Sequence, residues 1–378
     1  MAFLYIFLLF LTPWLLSKAE IKIKPLKLTG IVVNCFLFGS LIGHLFADDK
    51  INTMVNQVAE VVVLLGLPLL LFSSDIMGWM KLAKTTVIAF TIHILMVVLF
   101  CLIFGFIFRS HHPDVWKASG MLTGIFIGGT PNLIAVGKAL ELSMENILIV
   151  NAAEMVTGGI FFFFIMSFGI RIAGRFLIPF DHSQTKDQEE DWQKEENHFY
   201  RLKQSKKVIS FLISLSISLI VVGLSVGISF LLWKKIDVIT VMMSLSAIAV
   251  FFSLNKKIRH IPGSTIFGNY LLNVFCVAIG SMARVDQIKS DSMIFLVLCV
   301  CILICVFIFD LILCRLFKVD RDTCITTMIA GVFGPPFIPP VCEGLKNSAM
   351  IIPGVSSGLV GFAVGNFLGL LVSYLLKS

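Results

Sequence analysis

Ala330-Gly331-Val332-Phe333-Gly334-Pro335-Pro336-Phe337-Ile338-Pro339-Pro340 lies inside a long apolar run, with four prolines in six residues. Proline lacks an N–H, and its ring clashes with the preceding turn, so this run cannot form a continuous helix. In hydrocarbon, the freed carbonyls are costly unless protein or water satisfies them. Non-helical backbone is tolerated at that depth only where it is buried in protein or lines a cavity. The interruption falls near the middle of its run, which places the expected cavity near the bilayer midplane.

Composition says that the run does meet a bilayer. Of 378 residues, 57% are hydrophobic, 14% are charged and 35 are Phe; the mean hydropathy is +0.96. One soluble core could not hide so much apolar surface, and the excess must face lipid. The net charge of +7 comes from Lys and Arg in short clusters between apolar runs. That is the pattern of cytoplasmic loops and not of a nucleic-acid surface. Most of the nine cysteines lie within apolar runs. Cys299, Cys301 and Cys305 share one such run without His or carboxylate neighbours, so they read as small apolar residues and not as a metal or disulfide site.

With roughly 20 apolar residues per crossing, hydrophobic peaks fall at 3–16, 26–46, 54–74, 85–108, 117–140 and 146–178, then at 208–232, 236–254, 264–283, 292–317, 323–345 and 349–376. The first peak is short, and Ser17-Lys18-Ala19 resembles a signal-peptidase site. No basic region precedes it, so a retained helix is expected. The reading is an all-α integral membrane protein of about 11–13 spans. A charged stretch, 181–207, is expected to be a cytoplasmic linker between an N-terminal repeat, 1–180, and a C-terminal repeat, 208–378.

The two halves share an order of events. Thr123-Gly124-Ile125-Phe126-Ile127-Gly128-Gly129-Thr130-Pro131-Asn132 interrupts the run 117–140, as Ala330–Pro340 interrupts 323–345. Each interruption leads to a short amphipathic tail and then a long glycine-bearing helix, 146–178 and 349–376. Val61 to Asp75 is likewise similar to Leu271 to Arg284. A duplicated transporter repeat, inverted and with crossing interrupted helices, accounts for this. Interruptions in the fifth and eleventh of twelve spans would make the repeats parallel. Inversion therefore requires that one of the peaks 208–232 and 236–254 be re-entrant or interfacial.

In the first interruption, Gly128 and Gly129 permit a sharp turn, Thr130 can cap and Pro131 can open a half-helix to Leu140. The N–H groups and positive dipole end of that half-helix would face the cavity and attract an anion, with Asn132 adding an amide. Gly334, Pro335 and Pro336 form the second turn, and Pro339 and Pro340 open the matching half-helix. These ten residues are the expected solute-binding set. Glu154, with Asn151 one turn earlier, is the expected ion-coupling site, because a carboxylate at such depth is costly and usually functional. Glu343 is a further coupling candidate. Lys138, at the equivalent position, is expected to snorkel. His93 is expected to be a hydrogen-bonded core residue, Asn269 and Asn273 to bond between helices, and Asp75, Arg284 and Asp310 to reach the interface.

Several of these stretches also resemble a family. Pro68-Leu69-Leu70-Leu71-Phe72 with Asp75, Ile127–Asn132 with Ala135-Val136, Ala278-Ile279-Gly280-Ser281, and Pro353-Gly354 with Gly358-Leu359-Val360-Gly361 and Gly365 are similar to the YjcL-like membrane proteins, domain of unknown function 819. The resemblance is scattered over most of the chain beyond the first helix. It implies kinship with cation:proton antiporters and anion transporters, inverted repeats, and an elevator movement of a core bundle against a scaffold. It implies no substrate. Pro131 departs from the family's usual Val, and Gly334-Pro335-Pro336-Phe337 lacks the family's polar side chains. Glu154 occupies the position of the family's acidic residue.

The expected function is secondary transport of a small anionic organic solute across the cytoplasmic (inner) membrane, coupled to H+ or Na+. A homodimer is allowed, and no cofactor, metal or nucleic acid is expected. A cation:proton antiporter is the nearest alternative. A channel lacks a repeated filter loop or charge ring. A membrane-embedded enzyme lacks a His-rich motif, paired carboxylates on adjacent turns or Gly-x-Ser-x-Gly, so no catalytic residue is expected.

Overall fold

The computed structural model describes residues 2–23, 26, 30–45, 49–72, 76–182, 204–259, 261–282 and 293–377. The Asp75 and Arg284 expectations, and most of the charged linker, fall outside these residues. Within them the regular structure is helical, apart from an isolated bridge between Ile178 and Asp320. The helices are α1 (Ala2–Lys22), α2 (Ile31–Leu45), α3 (Asp49–Phe72), α4 (Ile76–Phe108), α5 (Val115–Gly128) and α6 (Thr130–Ala139). Helix α7 runs from Met144–Phe164 through a π-helical turn, Ile165–Gly169, into Ile170–Phe176. There follow α8 (Gln204–Trp233), α9 (Val238–Ser253), α10 (Ser264–Met282), α11 (Met293–Leu316), α12 (Arg321–Phe333), α13 (Ile338–Leu345) and α14 (Ile351–Lys377).

Seven of these helices are long and apolar enough to cross a membrane: those within 53–72, 82–108, 146–176, 206–233, 264–282, 293–316 and 348–377. Helices α2 and α9 are apolar but shorter. At 16 residues α9 is about 24 Å long, less than the roughly 30 Å of a hydrocarbon core. The chain is an all-α, multi-pass membrane protein.

The contacts group into two compact units. The first comprises residues 1–81, 181–284 and 339–352. Its centre is α10, which meets α2 and α3 on two faces through small residues. A Cβ at Gly39 or Gly43 would strike the Val277 or Ser281 carbonyl, and one at Gly280 the Phe36 carbonyl. Side chains cannot intervene at such a crossing, so the backbones themselves touch. On the other face, Gly66 packs at Gly268 and Leu271, and the Ser264 hydroxyl donates to the Leu69 carbonyl at 2.8 Å.

Hydroxyls from neighbouring helices reach carbonyls beside the prolines of this unit. Pro13 in α1 and Pro68 in α3 each remove a backbone donor and loosen the turn before them. The carbonyl three residues before each proline is taken from a neighbouring helix. Tyr270 donates to Phe10 at 2.6 Å, and Ser218 donates to Leu65 at 2.7 Å.

The second unit comprises residues 82–180, 285–338 and 353–378. It holds α5 and α6, α7, α11, α12 and most of α14, and it carries the first interruption entire and the second as far as Ile338. Asp320 caps the start of α12 by accepting from the Thr323 N–H at 2.9 Å and the Thr323 hydroxyl at 2.7 Å. Burial pushes the Asp320 carboxyl up, and these hydrogen bonds draw it down.

Two helix breaks against one glycine-lined helix

Both interruptions are backbone breaks, and they are built alike. Gly129 has φ 77° and ψ −180°; Gly334 has φ 80° and ψ −177°. Side-chain-bearing residues essentially never adopt this conformation, so each helix stops at a glycine and restarts at once. The flanking hydrogen bonds correspond one for one at an offset of 205 residues. Gly129 N–H donates to Ile125, as Gly334 does to Ala330. Asn132 N–H donates to Gly129, as Phe337 does to Gly334. The half-helices also end alike. Glu141 donates to Lys138 and Leu142 to Gly137, as Lys346 does to Glu343 and Asn347 to Cys342. Glu141 (φ 55°) and Lys346 (φ 57°) make the left-handed exit in both.

The first half-helix begins one residue earlier than Pro131. Gly129 is the N-cap, without a side-chain cap, and Thr130 is the first helical residue. The expected capping role of Thr130 is thereby corrected: the turn at Gly129 carries Thr130 into the helix, where it is exposed. In the second break a single 3-10 turn, Pro335–Phe337, precedes α13. Pro339 and Pro340 are then the second and third residues of that helix, where missing N–H groups cost nothing.

Helix α14 passes both breaks. A methyl group at Gly354 would strike Thr326 and Ile338, and one at Gly358 would lie against the Pro335 ring. Further along, Gly361, Gly365 and Gly369 face Ile127, Gly124 and Gly120. Chain order therefore runs with α12 in the first part of α14 and against α5 in the second. The Phe362 ring lies between the turns, 3.3 Å from where a Gly129 Cβ would be and 3.4 Å from that of Gly334.

Asn132 is fully buried in a slot walled by Gly128, Gly361 and Gly365. Its Nδ2 donates to the Gly361 and Phe362 carbonyls, both at 3.3 Å, while its Oδ1 has no hydrogen-bond partner. The amide expected to meet a ligand thus has its donors committed to α14, and only its oxygen is uncommitted.

Glu154 is 5% exposed on α7. Its Oε1 lies 2.8 Å from where a Gly158 Cβ would be, and the Phe333 ring edge lies 3.3 Å from the same point. The carboxylate therefore adjoins the end of α12. Phe161, Phe162, Phe333 and Phe337 cluster around that end with ring centroids 4.9–6.5 Å apart. No hydrogen bond or ion pair to Glu154 is found among the described residues. Asn151 donates to the Met155 sulfur at 3.5 Å and leaves its own Oδ1 unpartnered. Lys138 is exposed. Glu343 lies in the first unit, within electrostatic reach of the Cys35 and Cys276 thiols. Among the described residues no cluster of His, Cys, Asp and Glu could hold a metal ion.

The family described as "Protein of unknown function (DUF819)" matches residues 7–378. The chain belongs to the DUF819 family. A curated relative is the "Uncharacterized membrane protein YjcL" of Bacillus subtilis (strain 168). It is 24% identical over 328 residues, which cover 84% of this chain and 82% of that protein. Neither description carries a substrate, so for this DUF819 protein the chemistry has to be argued from the site.

Two features of that site were not expected from sequence. Asp310, expected near the interface, is instead 1% exposed, and its Oδ2 lies 2.7 Å from His93 Nδ1. His93 Nε2 lies 2.9 Å from the Phe126 carbonyl, in the last turn of α5. The second is Phe362, whose contact with both break glycines no local pattern announces. The glycine rows 120-124-128 and 361-365-369 were a legible signal for the neighbourhood, through their spacing of four residues.

Proposed function

We propose that this protein is a secondary transporter of a small anionic organic solute, coupled to H+ or Na+. The observation that carries the reading is the pair of glycine-hinged breaks meeting at Phe362. Backbone abandons its own hydrogen bonds inside an apolar helix only where something is gained by it. Two such breaks with matching geometry point to a site rather than a kink. The N-terminal turn of α6 would attract the carboxylate of the solute, with Gly128, Gly129, Thr130 and Pro131 supplying backbone there. Gly334, Pro335, Pro336, Pro339 and Pro340 would shape the opposite side. Glu154, buried and without a hydrogen-bond partner among the described residues, would take the coupling cation, with Asn151 beside it; a bound cation would also relieve the repulsion between Glu154 and an anionic solute.

The opposed directions in which α5 and α12 reach α14 support inverted repeats and, with them, an elevator movement of the unit holding the breaks. Placement in the cytoplasmic membrane, possible homodimers and a coupling role for Glu343 belong to the same proposal. A cation:proton antiporter is the second reading, favoured by one observation: Asn132 directs its N–H groups away from a ligand.

Thermal unfolding of the purified protein, screened against organic acids, should find compounds that raise Tm. Those compounds should then enter proteoliposomes under an imposed proton or sodium gradient. Glu154→Gln should keep or slightly raise Tm, because it removes a buried ionisable group that has no hydrogen-bond partner among the described residues, while abolishing gradient-driven uptake. Uptake that survives in Glu154→Gln would remove this residue from coupling. A screen without a hit, combined with cation exchange against a pH gradient, would decide for the antiporter.

A further inference from the structure

The contacts of His93 count hydrogens. Nε2 faces the Phe126 carbonyl oxygen at 2.9 Å, and a carbonyl can only accept, so Nε2 must carry a hydrogen. Nδ1 faces Asp310 Oδ2 at 2.7 Å, a distance that needs one hydrogen between them. His93 and Asp310 therefore hold two hydrogens and no net charge as a pair, whichever of them formally owns the second. The carbonyl they serve is not an ordinary one. In an unbroken helix, Phe126 would accept from the N–H of residue 130, which here lies beyond the turn at Gly129. A Cβ on Gly331 would overlap the imidazole, so α12 is shaped to admit this ring. Phe90 stacks on its face with centroids 6.3 Å apart.

We propose that His93 and Asp310 form a proton-binding site that locks the first break, and that losing this proton releases the Phe126–Asn132 backbone. This rests on the transporter reading, which it deepens by naming H+ as a coupling ion and by giving it a site apart from Glu154. When one proton leaves to water, the pair keeps one hydrogen and one negative charge. If the hydrogen stays on Nε2, the lone pairs of Nδ1 and Oδ2 confront each other across 2.7 Å. If it moves to the Asp310 contact, Nε2 turns a lone pair to the Phe126 oxygen. Either way one of the two contacts fails, and the imidazole cannot brace α5 and α11 together.

Fixed charges on the helices that carry and cover the pair lie toward one end: α12 opens with Arg321 and Asp322 after the capping Asp320, and Arg315 stands in the last turn of α11. Of the elements around the pair, α12 brings the Cys324 thiol within electrostatic reach of Asp310, and that thiol is hydrogen-bonded to the free Cys314 thiol of α11. Helix α5 offers a carbonyl, and its one charged residue, Lys117, lies at its far end. Helix α14 has no Asp, Glu, His, Lys or Arg before Lys377. On α4 itself the ionisable neighbours are Lys84 and Cys101, each about two turns or more from His93. Glu154 of α7 adjoins Phe333 and lies within electrostatic reach of the Cys299 thiol.

Hydrogen–deuterium exchange of the full chain in lipid nanodiscs, followed by mass spectrometry across about pH 5 to 9, tests this. Exchange in the peptide covering 124–135 is normalised to α10. It should rise about tenfold through one step as pH increases. His93→Gln, whose amide can still donate to Phe126, should flatten the profile, as should Asp310→Asn. A flat wild-type profile, or a step that survives in both variants, overturns the proposal; the wild-type profile decides alone if neither variant folds. The readout needs no solute. A flat profile therefore leaves the transporter reading standing, whereas a step without any gradient-driven uptake sinks that reading and keeps the proton site.

Discussion

Gly129 and Gly334 put the most specific demand on residue type in this chain. Their φ of 77° and 80° with ψ near 180° excludes any Cβ at a cost of about 1–3 kcal/mol. Gly129→Ala and Gly334→Ala should each lower Tm by several degrees. Gly223→Ala should hold or raise it, since Gly223 lies within α8 with nothing near its missing Cβ. Equal losses at all three would mean that the break conformation carries no special strain. At this scale the sequence was legible where the chemistry is local. Adjacent glycines and runs of proline announce a break by themselves. Asp310 was not legible, because its partner His93 stands 217 positions away. Its place about two turns from the end of α11 looked like a side chain reaching for the interface. The start of α6 was misplaced by one residue for a similar reason. Thr130 has the composition of a cap, but the glycine before it can take a conformation that makes a side-chain cap unnecessary.

Helices in this protein touch through absent side chains. Gly39, Gly43 and Gly280 join α2 to α10; Gly120, Gly124 and Gly128 oppose Gly361, Gly365 and Gly369. Between helices surrounded by lipid there is little hydrophobic gain from contact, so close packing and buried hydrogen bonds decide which faces meet. Gly39→Val would drive two methyl groups into the Val277 carbonyl, and Gly365→Val would displace the Asn132 amide from its slot. Each should cost about 1–3 kcal/mol by overpacking, whereas Gly227→Val should cost less than 1 kcal/mol, there being open space beside it. Denaturation in matched detergent would measure this. Comparable losses at Gly227 would indicate that α8 has a partner on that face. The element boundaries themselves were well marked. Each apolar peak is matched by a helix or by two half-helices, because hydropathy over twenty residues averages out local irregularity. Which helix meets which was not marked, since the small-residue rows specify closeness without naming a partner.

Across the whole molecule, orientation follows from charge. Arg171, Arg175, Arg201, Lys203, Lys206 and Lys207 cluster around the joint between the halves, and by the excess of basic residues in cytoplasmic loops we propose that this joint faces the cytoplasm. A biotin-acceptor peptide inserted at 188–192 should be labelled by cytoplasmic ligase and stay inaccessible from outside intact cells; labelling from outside alone would invert the topology. The likeness of the two halves was readable at their breaks. It extends in the structure to four matched pairs of backbone hydrogen bonds, but side-chain chemistry does not follow it, as Lys138 against Glu343 and Asn132 against Phe337 make plain. The Phe362 ring lies against both hinges. A swing of this one side chain would be felt on the two sides together, so neither half-helix can be reset while the other keeps time independently.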